Sequence, residues 1–252
     1  TPQQNHNLSV TGGSKKTTYN ISLSYLNQTG VMKYNSDQYD RYTLHSSITS
    51  SIRDWWKVRA NVLFTRTKND EPYRFTSGQY DAWFYLLRWP RWYPYATYQG
   101  KPFRSAVTDI KHGNRENTTT TYVRTNLGTE ITPMKNLSVN FDYTFSFTND
   151  ARKLNGGTIY AYDMFASAPF SSYTSLYGLW HNMVEQSSQY TLQNIFKGYA
   201  TYMFDVAEQH HFKVMAGFDA ETREAFSHYS ERQKLYSEKF PEIAMTYGDQ
   251  FS

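Results

Sequence analysis

The chain has 252 residues, a net charge of +4 and only 39% apolar residues, yet 18% of it is aromatic; so many aromatics exclude disorder, and so few aliphatics suit a dense core poorly. Its 26 Lys and Arg are scattered, which excludes the basic stripe of a nucleic-acid binder, and the lack of Cys excludes disulfides and thiolate metal sites. No run reaches the ~18 apolar residues of a membrane-crossing helix.

Asn5–Thr11 alternates, with His6, Leu8 and Val10 on one side. Gly12–Lys16 reads as a tight turn. Thr18–Leu26 returns with Tyr19, Ile21, Leu23 and Tyr25 in phase, and Gln28–Gln38 is a polar loop. Tyr39–Ile52 is the third expected strand, carried by Tyr42, Leu44, Ile48 and Ile52 and interrupted by Ser46 and Ser50. After a turn at Arg53–Trp55, Trp56–Thr67 opposes Val58, Ala60, Val62 and Phe64 to Lys57, Arg59, Asn61 and Thr65. Lys68 to Thr118 shows no clear strand. Thr119–Ile131 is the fifth strand, and Thr132–Asn136 turns the chain.

Leu137–Thr148, LSVNFDYTFSFT, is the clearest strand in the chain. Leu137, Val139, Phe141, Tyr143, Phe145 and Phe147 fall on one face, and Ser138, Asn140, Asp142, Thr144, Ser146 and Thr148 on the other. Its length is that of a tilted bilayer crossing, about 9–11 residues, and its faces suit lipid on one side and water on the other. An amphipathic strand of a soluble sandwich alternates too. A second long insertion runs from Asn149 to Gln186. Tyr190–Phe204 follows, its phase blurred around Gly198 as by a bulge. Asp205–His210 is short, and His211–Glu221 carries Phe212, Val214, Ala216 and Phe218 on one face. The polar remainder shows no strand.

The connections alternate strictly between short and long. Neighbouring strands joined this way gather every short turn at one end of the sheet and every long loop at the other, as in outer-membrane barrels. Tyr19, Tyr25, Tyr42, Trp55, Trp56 and Tyr122 gather near strand ends, as interfacial belts do. The expected fold is all-β: a segment of about eight strands of an antiparallel transmembrane β-barrel, with short periplasmic turns and long extracellular loops. A soluble β domain is the alternative.

Within the first insertion Trp83, Tyr85, Arg88, Trp89, Arg91, Trp92, Tyr93 and Tyr95 crowd together. Aromatics and Arg are the residues of binding hot spots, and flat rings suit sugars. These eight are the candidate ligand or lid contacts; the bland alternative is a folded loop packed on the barrel mouth. Gly12-Gly13-Ser14-Lys15 lacks the spacing of a phosphate loop. His210 and His211 point to opposite faces of a strand and are poorly placed to share a metal. No spacing points to a catalytic residue or to a cofactor.

QNHNLSVTGGSKKTTYNISLSYLNQTGVM (Gln4–Met32) resembles an early barrel hairpin of the SusC-type TonB-dependent transporters of Bacteroidetes. RDWWKVRANV (Arg53–Val62) and Asp205–Arg232, which contains HHFKVMAGFDAETREAFSHYSER, resemble later hairpins of that family. The resemblance implies that residues 1–252 are part of a single barrel domain whose whole has 22 strands and a plug. It also implies a SusD-like surface lipoprotein as lid, TonB acting through a plug region not seen in this sequence, and import of oligosaccharides or peptides across the outer membrane rather than enzymatic activity. A passive porin, a surface adhesin barrel or a soluble carbohydrate-binding β domain are the other classes.

Overall fold

A computed structural model describes residues 2–72, 87, 91–92, 97–103, 105–112, 115–156, 161–162, 183–207, 210–237, 239–248 and 250–251. The strands are β1 (Gln3–Gly13), β2 (Thr17–Thr29), β3 (Gln38–Arg53), β4 (Trp56–Pro72), β5 (Thr97–Tyr98), β6 (Lys101–Pro102), β7 (Arg115–Met134), β8 (Leu137–Gly156), β9 (Met183–Val206), β10 (His210–Gln233) and β11 (Gln250–Phe251). β5 and β6 pair with each other. The rest form one antiparallel sheet in chain order, β1-β2-β3-β4-β7-β8-β9-β10-β11. Among the described residues the sheet stays open: β1 pairs only with β2, and the free side of β10 meets β11 only at Glu231 and Arg232. No described helix is long and apolar enough to cross a membrane.

All eight expected strands are present, and most run further than their alternation. β4 continues to Pro72, β7 starts at Arg115, β8 reaches Gly156, β9 starts at Met183 and β10 runs on to Gln233. The insertions are correspondingly shorter than Lys68–Thr118 and Asn149–Gln186, and the polar C-terminal stretch holds strand where none was expected. Most residues of these extensions are polar on both faces, so no period of two marks them, while the backbone ladder continues. Cross-strand polar contacts hold them: Thr120 donates to Asp150 at 2.5 Å, and Arg115 donates to Asp70 at 3.0 Å and to the Asn35 carbonyl at 2.6 Å.

The short connections gather at one end. Ser14–Lys16 closes β1–β2, with the Ser14 hydroxyl accepting the backbone N–H of Lys16 and Thr17, both at 3.2 Å. Asp54-Trp55 and Lys135-Asn136 close the next two hairpins. Asn136 takes the left-handed conformation (φ 68°) that Asn tolerates well.

No bulge forms at Gly198. β9 keeps unbroken register there with both neighbours, Phe141↔Gly198 and Gly198↔Phe218. The glycine is a seat for an aromatic ring: a Cβ on Gly198 would lie 2.5 Å from the Phe218 ring. Phe141 meets that ring from the other side at 6.2 Å.

Opposed residues share a face, so the register sorts every side chain. One face carries Leu8, Leu23, Leu44, Phe64, Val123, Phe147 and Leu192 in a single pairing row. These large apolar groups are not covered: Leu8 is 64% exposed and Leu23 50%, and on β10 Phe218 is 58% exposed. Polar groups on this face pair with one another, as Tyr143 with Asn194 at 2.7 Å, Trp56 with Thr129 at 2.9 Å and Thr17 with Ser50 at 2.8 Å. Tyr122 is not part of an aromatic belt here: it opposes Thr65 and Thr148 and so lies on the polar face.

The apolar band crosses the pairing rows obliquely. The row that begins at Leu8 ends at Glu224 on β10, whereas the apolar run of β10, Phe212–Ala220, centres on Ala216. That is a slip of eight residues over the seven steps from β1 to β10, about one per strand. With a rise of ~3.4 Å per residue and strands ~4.8 Å apart, the strands tilt by about 40° to the band.

The buried apolar side chains sit elsewhere. Leu154, Val184, Met183, Ile110 and Tyr162 are buried where the long connections meet the sheet. A short helix, Ala106–His112, is started by Ser105, whose hydroxyl accepts the Thr108 N–H at 3.2 Å.

Candidate functional site

The polar face is the chemically rich one, and its middle is a charge row. Arg59 on β4, Gly128 on β7, Asp142 on β8, Lys197 on β9 and Asp219 on β10 are opposed in one row. Arg59 reaches Asp142 at 3.3 Å across the glycine, and Lys197 meets Asp219 at 3.0 Å. The next row towards the long connections is hydrogen-bonded from β3 to β8 and ends at Glu221 on β10. Ser47 donates to Asn61 at 2.7 Å, Asn61 to Asn126 at 3.5 Å and Asn126 to Thr144 at 2.9 Å. Asn140 and Thr144 are buried on this face, while Val139 and Phe141 are exposed on the other.

An acidic collar closes the end with the long connections. Glu71, Glu116, Glu185 and Glu231 fall in one row, with Leu154 between Glu116 and Glu185. Arg152 ties two of them together, donating to Glu116 at 2.5 Å and to Glu185. The hydrogen bond to Glu116 holds the guanidinium pKa above its ordinary value. Burial pushes the Glu185 carboxyl up, against the pull of Arg152. Tyr229 donates to Glu231 at 2.7 Å. Outside the collar, Lys153 and Gln186 hold Glu242 at 2.5 and 3.3 Å.

Of the eight candidate contacts, Trp83, Tyr85, Arg88, Trp89, Tyr93 and Tyr95 lie outside the described residues. Arg91 and Trp92 form an exposed turn, and Trp92 is 81% exposed. The strip then leads into the β5–β6 hairpin, whose Tyr98 packs on Tyr162 of the second insertion at 5.7 Å. Tyr162 also takes the Pro102 carbonyl through its backbone N–H at 2.9 Å, so the two long insertions meet. Among the described residues no group of three His, Asp or Glu is placed to hold a metal ion. His211 pairs with Asp205 at 2.5 Å, while His210 lies beside the Phe212 ring at 6.4 Å.

The charge row and the collar escape a reading of sequence alone. Their members lie far apart in the chain, and only strand register brings them together. The signal available was weak: single charges in otherwise neutral polar phases, such as Asp142 in LSVNFDYTFSFT.

No protein-family model and no curated protein matches the sequence. Solved structures do match. The RagAB peptide importer in its closed-closed state is 19% identical over 97% of this chain and 27% of that chain, with a TM-score of 0.73. Its open-open state is 18% identical over the same shares, with a TM-score of 0.72. A further structure, of the RagAB peptide transporter, is 19% identical over 98% of this chain and 27% of that one, with a TM-score of 0.69. The chain thus spans about a quarter of the length of those chains, and over that stretch it has their fold.

Proposed function

We propose that this chain is part of the barrel wall of an outer-membrane nutrient importer of the SusC kind. The importer is TonB-dependent and takes up oligopeptides or glycan oligosaccharides beneath a SusD-like surface lipoprotein. The oblique apolar band carries this reading. A soluble sandwich covers its apolar face with a second layer, but here the face is bare and bordered by polar strand extensions. A slip of about one residue per strand is the stagger of a closed barrel, whose strands tilt by about 35–45°. Lipid on the apolar face and water on the polar one satisfy both. The fold shared with the RagAB structures supports the importer over a porin or an adhesin.

The test uses the full-length parent protein. It should sediment with the outer membrane and migrate faster in SDS gels before boiling than after. Deleting its gene, or that of the neighbouring lipoprotein, should abolish uptake of the same nutrient. A parent found in the soluble fraction, without heat-dependent mobility, would refute the proposal.

A further inference from the structure

Among the described residues, three arginines on the polar face make no hydrogen bond or ion pair. They are Arg41 on β3, Arg124 on β7 and Arg223 on β10, and all are exposed. The other arginines of this face's strand interiors are spoken for, Arg59 by Asp142 and Arg152 by Glu116 and Glu185. The apolar band on the back of the sheet gives each its depth. That band runs Tyr42–Ile52 on β3, Val123–Ile131 on β7 and Phe212–Ala220 on β10, with midpoints at residues 47, 127 and 216. Arg41, Arg124 and Arg223 therefore lie six, three and seven residues from the midpoint, each towards the long connections.

A solvated arginine is cheap to keep, so exposure alone would mean little. The surroundings are more specific. Arg124 and Arg223 share one pairing row, with Ser146 and Gln193 between them. Carboxylates beside them in register already hold partners: Glu221, two residues from Arg223, accepts the Gln193 amide at 2.6 Å, and Asp150, four residues from Ser146, accepts the Thr120 hydroxyl at 2.5 Å. Below lies the self-paired charge row and above lies the collar. The layer between them keeps guanidinium forks unspent, and a fork matches the two oxygens of a carboxylate.

The geometry points to a carboxylate-binding wall: Arg124 and Arg223, with Arg41 two strands from Arg124 and four residues nearer the long connections, take the carboxylates of a solute passing from the long-connection end into the lumen. This rests on the importer reading and adds the charge of the cargo to it. Three strand spacings separate Arg124 from Arg223, roughly 14 Å. That is too far for one carboxylate and suits an extended solute bearing two. Such groups come from peptides or from uronic acids. Among the described residues Arg152 is the guanidinium set against Glu116, Glu185 and Glu231, and such a collar repels a uniformly negative chain, so the wall favours a peptide.

The test measures binding to the purified full-length protein. The probes are an alanine-rich peptide with two aspartates and a free C-terminus, its amidated asparagine counterpart, an oligogalacturonate and a neutral malto-oligosaccharide. Arg124→Gln or Arg223→Gln should weaken the acidic peptide about tenfold, the scale of a charge-assisted hydrogen bond, and leave the neutral probes unchanged. Arg66→Gln, on the opposite face, should change nothing. A matching loss for oligogalacturonate would support the wall and name uronides as a second cargo. Equal losses for acidic and neutral probes, or none for either, would overturn it. So would a wild type that binds no carboxylate probe, while outer-membrane location and uptake would still stand for the importer reading.

Discussion

Arg59 and Asp142 are joined at 3.3 Å although a whole strand, β7, runs between theirs. Gly128 makes this possible. A Cβ there would lie 2.4 Å from the Asp142 carboxylate and 3.0 Å from Arg59 Nε. The missing side chain is the channel through which the pair meets. Gly128→Ala should therefore cost more than Asp142→Asn. Overpacking costs about 1–3 kcal/mol, whereas a partly exposed ion pair contributes about 0–1 kcal/mol. Unfolding of the full-length protein in urea and detergent gives both values. A Gly128→Ala variant as stable as Asp142→Asn would mean that the neighbours move aside freely.

The two faces of β8 make a second prediction. Phe141 is exposed on the apolar face, and Asn140 is buried on the polar one. By burial in this chain alone, Asn140→Arg would be the worse change. If lipid covers the apolar face, the order inverts, since an Arg near the bilayer midplane costs about 2–4 kcal/mol. Folding yield into lipid vesicles ranks the two variants. A greater loss for Asn140→Arg would place lipid elsewhere.

How much of this was legible in the sequence depends on the solvent each segment meets. Phe141, Phe145 and Phe147 could be assigned from alternation because one side of β8 is wholly apolar there. From Asn149 to Asn155 the same strand has polar groups on both faces, and cross-strand polar contacts, Thr120 with Asp150 and Arg152 with Glu116 and Glu185, mark that pairing continues. Gly198 suggested a bulge because a gap in an apolar phase looks like a slip, and the Phe218 ring that fills the gap belongs to another strand. Tyr122 looked interfacial by its type, but parity puts it on the polar face. The charge row of Arg59, Asp142, Lys197 and Asp219 needs the register of five strands, which no local pattern encodes.

Sidedness is the third prediction. The short turns at Ser14–Lys16, Asp54-Trp55 and Lys135-Asn136 share one end with the β9–β10 connection, and the connections at 30–37, 73–114, 157–182 and 234–249 share the other. Protease added to intact cells should cut only within the second set. Cuts confined to the short turns would turn the chain upside down in the membrane.

Glu185 gives a pH dependence of known sign. Burial raises its folded pKa above the unfolded one, so the folded protein keeps the proton longer. Its contribution is best below the unfolded pKa and is lost as pH rises through the folded one. As pH rises above the ordinary carboxylate range, the wild type should lose stability relative to Glu185→Gln, which has no proton to release there. Heat-dependent gel mobility at several pH values measures the difference. A gap that narrows as pH rises would show that Arg152 dominates burial.

Trp92 carries the last prediction. It stands in an exposed turn of the first insertion, beside Arg91, at the end of the sheet where all the long connections gather. An indole 81% exposed is a large apolar surface to leave in water. Its neighbours in sequence, Trp89, Tyr93 and Tyr95, extend the same chemistry. Trp92→Ala in the full-length parent should weaken lipoprotein association or nutrient binding by about 1–2 kcal/mol, an ordinary hot-spot loss. Surface level, lipoprotein association by co-purification, and uptake are read separately. Lost association at normal surface level assigns Trp92 to the lid, and lost uptake with association intact assigns it to cargo. A fall in surface level alone would make it a packing residue of the loop, and three unchanged readouts would remove it from the site.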